Sequence, residues 1–181
     1  MAPNMYYIGS AGVINLVAPG GQNLLRIFGL SGIFKPYNFY SKHATLPLNS
    51  DTIRTCYHVN QIETLRASLL EGGGKVDVGI SHDWPRGAHK HGDLAELVKT
   101  KPFFEEDIKT GKFGNPIASF LLKSLGPKRW FSGHCHVNFD AEYDNDEKTQ
   151  FSAVDKCIKD REFLKVKNPQ KKIIFLVCRI W

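Results

Sequence analysis

Apolar positions along the first thirty residues come in short aromatic and β-branched runs at 5–8, 12–17 and 24–30, separated by glycine and proline. That pattern predicts sheet strands. Positions 36–50 turn polar and irregular, rich in Asn, Ser, Pro and Tyr. A stretch of that length reads as a functional loop or as a plain surface excursion. From Tyr57 onward, Val59, Ile62, Leu65 and Leu69 recur at intervals of three and four, which predicts a helix packing that stripe on a core and ending at Gly72-Gly73-Gly74.

Positions 75–80 read as a strand. Asn115-Pro116 is a helix cap followed by a first-turn proline, and it opens a helix through Ile117, Phe120, Leu121 and Leu125 that Gly126-Pro127 terminates. Positions 129–132 form the next strand. Strand, helix and strand in succession predict a layered α/β fold, in which function collects in loops at the carboxyl ends of the strands.

At 181 residues and 42% hydrophobic content the chain suits one folded domain and excludes disordered and collagenous classes. A net charge of +6 admits an anionic partner, but the basic residues are dispersed except for Lys165, Lys167, Lys171 and Lys172. Charge alone therefore points only weakly to phosphate. Cys56, Cys135, Cys157 and Cys178 show no Cys-x-x-Cys spacing, which excludes a zinc ribbon and predicts a reducing compartment. The longest apolar run, 173–177, is far shorter than the roughly 20 residues of a membrane helix. The opening residues do not read as a signal peptide.

Two histidine clusters fall in the loops where chemistry is expected. His82 follows the strand at 75–80 within Ser81-His82-Asp83-Trp84-Pro85, and His134 and His136 follow the strand at 129–132 within Ser132-Gly133-His134-Cys135-His136. In extended backbone a His-x-His pair presents both rings to one face about 7 Å apart, so the pair can serve one metal site or two adjacent ones. His43, His58, His89 and His91 read as solvated or locally bonded, with His58 set apart because Arg54 and Tyr57 cluster beside it.

The motifs Ser81-His82-Asp83-Trp84-Pro85, Trp130-Phe131-Ser132-Gly133-His134-Cys135-His136, Ala153-Val154-Asp155-Lys156-Cys157 and Thr52-Ile53-Arg54-Thr55-Cys56-Tyr57-His58-Val59 together resemble the RNA lariat debranching enzymes, which are calcineurin-like metallophosphoesterases. Their order and spacing match that family, and the resemblance runs to about Lys167. It implies part of a layered αββα metallophosphoesterase sandwich at 1–167, with a lariat-recognition insertion at about 35–58 and a divergent tail at 168–181. It also implies hydrolysis of the 2′,5′-phosphodiester of intron lariats, in the nucleus, at a divalent metal centre of Mn, Fe or Zn. His82, His134 and His136 take the positions of metal ligands. Asp83 either holds an imidazole through its second ring nitrogen or bonds the loop backbone. Arg54, Tyr57 and His58 take the position of contacts to branched RNA, through phosphate, base stacking and hydrogen bonding.

The family's remaining ligands, an Asp- or Cys-x-His pair, a Gly-Asp and a Gly-Asn-His-Glu, have no counterpart in these 181 residues. Gly92-Asp93 and Gly114-Asn115 share letters with them but stand in the wrong places. The resemblance aligns Met1 with the interior of the domain, so the expected chain lacks the N-terminal strands, retains metal weakly and hydrolyses little. The rival expectation is a non-catalytic RNA-binding or regulatory fragment.

Overall fold

The computed structural model describes residues 6–42, 44–70, 73–146 and 148–161, together with the backbone of 164–166 and 174–176. In chain order its elements begin with β1 (Ala11–Val17), β2 (Asn23–Leu30), α1 (Pro36–Phe39), α2 (Gln61–Ser68) and β3 (Val78–Ser81). There follow α3 (Leu94–Thr100), α4 (Glu105–Lys109), α5 (Pro116–Leu125), β4 (Arg129–Ser132), β5 (Phe139–Glu142) and β6 (Gln150–Ala153). Short 3₁₀ turns occupy Ile53–Tyr57, Ala88–His91 and Pro102–Phe104. A separate antiparallel pair joins β7 (Leu164–Val166) to β8 (Ile174–Leu176).

One six-stranded sheet runs in the order β1-β2-β3-β4-β6-β5. Strands β2, β3, β4 and β6 run parallel to one another, while β1 and β5 pair antiparallel to β2 and β6 at the two edges. Helices cover one face. Phe28 of β2, Trp130 of β4 and Phe151 of β6 bury their rings against Ala67 of α2, Leu97 of α3 and Ala118, Leu121, Leu122 and Leu125 of α5. The opposite face carries a smaller cluster of Ile27, Val78 and Phe131 with Ile14, Leu25 and Ile80. The α/β class expected from the sequence is therefore the architecture observed.

Local chemistry explains the best-formed elements. Asn115, fully buried, accepts the N–H groups of Ile117 and Ala118 at 2.8 and 3.2 Å, and Gly126 closes α5 in the left-handed region at φ 51°. Asp93 caps α3 in the same way through the N–H of Glu96. The two look-alike dipeptides of the sequence are thus helix starts. Gly79 is required by a close approach, because a Cβ there would run into the Trp130 indole that crosses β3.

Three expectations change. Tyr6 to Ile8 form no strand, and Tyr6 and Tyr7 are exposed; Met5 lies outside the described residues. The strand expected at 75–80 starts at Val78 and ends at Ser81. Helix α2 forms with Asn60 as its cap, but it buries Glu63 and Ala67 and leaves Ile62, Leu65 and Leu69 at the surface. Periodicity identifies residues that share a helix face and does not say which face meets the sheet. Gly72, His43, the side chains of the C-terminal lysines and the expected tail, apart from the backbone of β8, lie outside the described residues.

Candidate functional site

Parallel pairing puts the ends of three strands side by side. Leu30, Ser81 and Ser132 are in register across β2, β3 and β4, so the loops that follow leave the sheet at one edge. Buried hydrogen bonds hold that edge. The Ser81 and Ser132 hydroxyls meet at 2.8 Å, Trp130 Nε1 donates to Ser81 Oγ at 2.9 Å, and Ser81 Oγ donates to the Asp83 carbonyl at 2.6 Å. Trp84 Nε1 donates to the Gly133 carbonyl at 2.9 Å and the Gly133 N–H to the His82 carbonyl at 3.2 Å, which ties the two histidine loops together.

The rings of His82 and His134 meet there. His82 Nε2 lies 2.9 Å from His134 Nδ1, with ring centroids 4.8 Å apart. Burial and the ammonium of Lys35 push His134 below its ordinary value, so the ring is held neutral. Asp83 is buried; its Oδ2 accepts the Phe34 N–H at 3.3 Å and its Oδ1 lies 3.9 Å from His134 Nε2. Burial raises its carboxyl to about 6, opposed by the Phe34 N–H and the nearby His82. Cys135 is buried with its thiol pushed well up by desolvation, an environment that keeps it a packing residue.

The extended His-x-His geometry is not what forms. His134 and His136 both sit in the left-handed region, at φ 62° and 53°, because β4 ends at Ser132 and the chain turns immediately. Strained non-glycine backbone of this kind is costly and is concentrated at functional loops. The structure brings His82 and His134 into contact, with Asp83 beside them, and places His136 half-buried two residues further along.

The second set of candidates is carried to the same edge. Ile33, just past β2, forms a parallel bridge with His58, with Ile33 N–H donating to the Tyr57 carbonyl and Val59 N–H to the Ile33 carbonyl, both at 2.9 Å. Gly32 permits this approach, since at φ 95° a Cβ would press on the Tyr57 carbonyl oxygen at 2.7 Å. His58 stands edge-on between two tyrosines, with centroids 6.2 Å from Tyr37 and 5.0 Å from Tyr57, both at 88°. Asn38 Nδ2 donates to His58 Nδ1 at 2.8 Å. Arg54 is exposed on the same 3₁₀ turn as Tyr57.

Sequence reasoning passed over Lys35 and Asn38. Lys35 acts electrostatically on His134, His58 and Asp83 alike, and Asn38 fixes the His58 ring. The signal that could have found Lys35 is its place just after the strand at 24–30, in a loop at a strand's carboxyl end.

A first-row metal in a closed protein site takes about four donors at roughly 2.0–2.3 Å. Two nitrogens bound to one tetrahedral ion at those lengths stand roughly 3.4 Å apart, and the 2.9 Å between His82 and His134 is a hydrogen-bond length. Among the described residues no group of three or more His, Cys, Asp or Glu side chains is placed to hold a metal ion. Two imidazoles with the Asp83 carboxylate 3.9 Å from His134 do not make a complete centre among the described residues.

No family model matches the chain. It is 40% identical over 175 residues to the human lariat debranching enzyme, an alignment that covers 92% of this chain. It is 44% identical over 142 residues to the enzyme of Drosophila melanogaster and 37% over 169 residues to that of Arabidopsis thaliana. The chain is a homologue of the lariat debranching enzymes. It spans 31%, 25% and 38% of the lengths of these three relatives. The family resemblance carried by the four motifs is thereby shown, and the homology includes the loops that bear His82, His134 and His58. No helix among the described residues is long and apolar enough to cross a membrane.

Proposed function

We propose that this chain carries the RNA-recognition surface and the histidine part of the active site of a lariat-debranching metallophosphodiesterase. Its substrate class is RNA branched through a 2′,5′-phosphodiester, met in the nucleus. Arg54, Tyr57 and His58 contact the branched strand, and His82, His134 and His136 are the imidazoles available to a divalent metal of the Mn, Fe or Zn class. Asp83 orients His134.

The observation that carries this reading is the convergence of the His82–His134 pair and the Tyr37–His58–Tyr57 set on one sheet edge, in a chain homologous to debranching enzymes over 92% of its length. A bound divalent metal would supply charge neutralisation and an activated water. The described residues gather two imidazoles and no bridging carboxylate, so hydrolysis by the 181-residue chain alone is weak or absent. That donor set also supports the second reading, a non-catalytic module that binds branched RNA.

One experiment tests both readings. The purified chain is mixed with a synthetic 2′,5′-branched RNA and a linear RNA of equal length at matched salt, with Mn²⁺ added and His134→Ala as control. Tighter binding of the branched strand with no cleavage supports the recognition module. Cleavage lost in the control supports a complete catalyst. Equal affinity for both strands without cleavage overturns the lariat assignment.

A further inference from the structure

Lys35 occupies a segment that touches both halves of the site. The residue before it, Phe34, gives its N–H to Asp83 beside His134, and Ile33 forms the bridge to His58. The Lys35 carbonyl accepts the N–H groups of Asn38 and Phe39 at 3.0 and 3.1 Å, and the side chain of that same Asn38 holds the His58 ring. The Lys35 backbone is therefore fixed on both sides, one residue from the donor to Asp83 and three from the donor to His58.

The ammonium of Lys35 forms no ion pair with any described residue, whereas the nearby Arg86 is engaged by the Gly114 carbonyl at 3.3 Å and lies over the Phe34 ring. Asp83, the adjacent acid, spends its oxygens on the Phe34 N–H and the His134 side. A half-buried cation with no ion pair among the described residues stands on the segment that joins the His82–His134 pair to His58, and an anion brought from outside would complete its charge. Tyr37, 73% exposed, and Tyr57, 43% exposed, present aromatic surface on the other side, suited to unpaired bases.

We infer that Lys35 is a phosphate-binding residue that grips the backbone of an RNA strand between the His82–His134 pair and the Tyr37–His58–Tyr57 aromatic set. The inference rests on the proposed reading for the identity of the strand, and on the geometry of the 30–38 segment for the contact. A strand whose base stacks on the tyrosines and whose reacting phosphate reaches the histidines places an intervening phosphate at the Lys35 ammonium. There it forms a charge-assisted hydrogen bond.

The test compares the 181-residue chain with its Lys35→Met, Lys35→Arg and Lys123→Met variants, the last on the exposed end of α5 away from this edge. Binding of a short single-stranded RNA is measured across a salt series, with circular dichroism to check the fold. Lys35→Met is expected to weaken binding about tenfold at low salt and to lower the slope of log affinity against log salt by about one. Lys35→Arg retains both, and Lys123→Met changes neither. A Lys35→Met chain with the parental slope and affinity overturns the inference, as does a parent that binds no RNA. Branched and linear strands are run in parallel: equal affinities with the Lys35 effect intact overturn the lariat reading and leave the phosphate contact standing.

Discussion

Asn38 donates its side-chain N–H to His58 Nδ1 at 2.8 Å, which makes that ring nitrogen an acceptor and puts the His58 proton on Nε2. Burial and then Lys35 push His58 below its ordinary value, in keeping with a neutral ring. Asn38→Asp is expected to reverse both properties, raising the His58 midpoint and moving the proton to Nδ1, where it is shared with the carboxylate. Ring ¹⁵N shifts through a pH titration report the tautomer and midpoint directly. A midpoint that does not rise would show that the pair is not formed in solution.

The His82–His134 contact makes a prediction about metal affinity. Two imidazoles chelate weakly and one does not chelate, so His82→Ala and His134→Ala should each reduce Zn²⁺ binding to the level of the double variant. Calorimetry on the four proteins checks this. Additive losses from the two single variants would mean that the rings serve separate ions.

Gly79 is the point at which Trp130 crosses β3, and both flank the serines under the histidine loops. Gly79→Ala must push the indole away and strain its bond to Ser81. We expect a loss of about 1–3 kcal/mol in urea denaturation, together with a change in tryptophan fluorescence.

His89 sets an acid limit on stability. Its ring is buried edge-on against Phe113, its Nδ1 finds no hydrogen-bond partner among the described residues, and desolvation, followed by Lys90 and His91, lowers its value below the ordinary 6.5. The unfolded chain therefore binds a proton that the folded chain refuses. The stability associated with a neutral His89 is complete above pH 6.5 and declines as the pH falls below it. His89→Phe should lose less stability than the parent between pH 7.5 and 5.5, read from denaturant midpoints.

The outward stripe of α2 should govern solubility more than stability. Replacing Ile62, Leu65 and Leu69 by serine removes exposed apolar surface while keeping Glu63 and Ala67 in the core. The unfolding free energy read from urea denaturation should change by no more than about 0.5 kcal/mol per substitution, and the concentration at which light scattering begins should rise. A large loss of stability would mean that the stripe is packed in solution.

The sequence by itself determined whatever depended on neighbours along the chain. Asn115, Pro116 and Gly126 delimit α5 because capping and left-handed closure are decided within a turn, and the strand at Arg129–Ser132 was legible between Gly126-Pro127 and the histidine loop. The homology was legible too, since motif order and spacing are properties of the chain. Elements with weak local signals, such as β5, β6, α3 and α4, were not anticipated. Tertiary structure alone decided which face of α2 turned inward, because a helix with apolar residues on two sides buries the one that fits the sheet. It decided that His134 and His136 leave the strand with positive φ, since the end of β4 is set by its pairing with β3 and β6. It also decided that Lys35 and Asn38 stand between the two halves of the site, because parallel register brings together three loops separated by some fifty residues each.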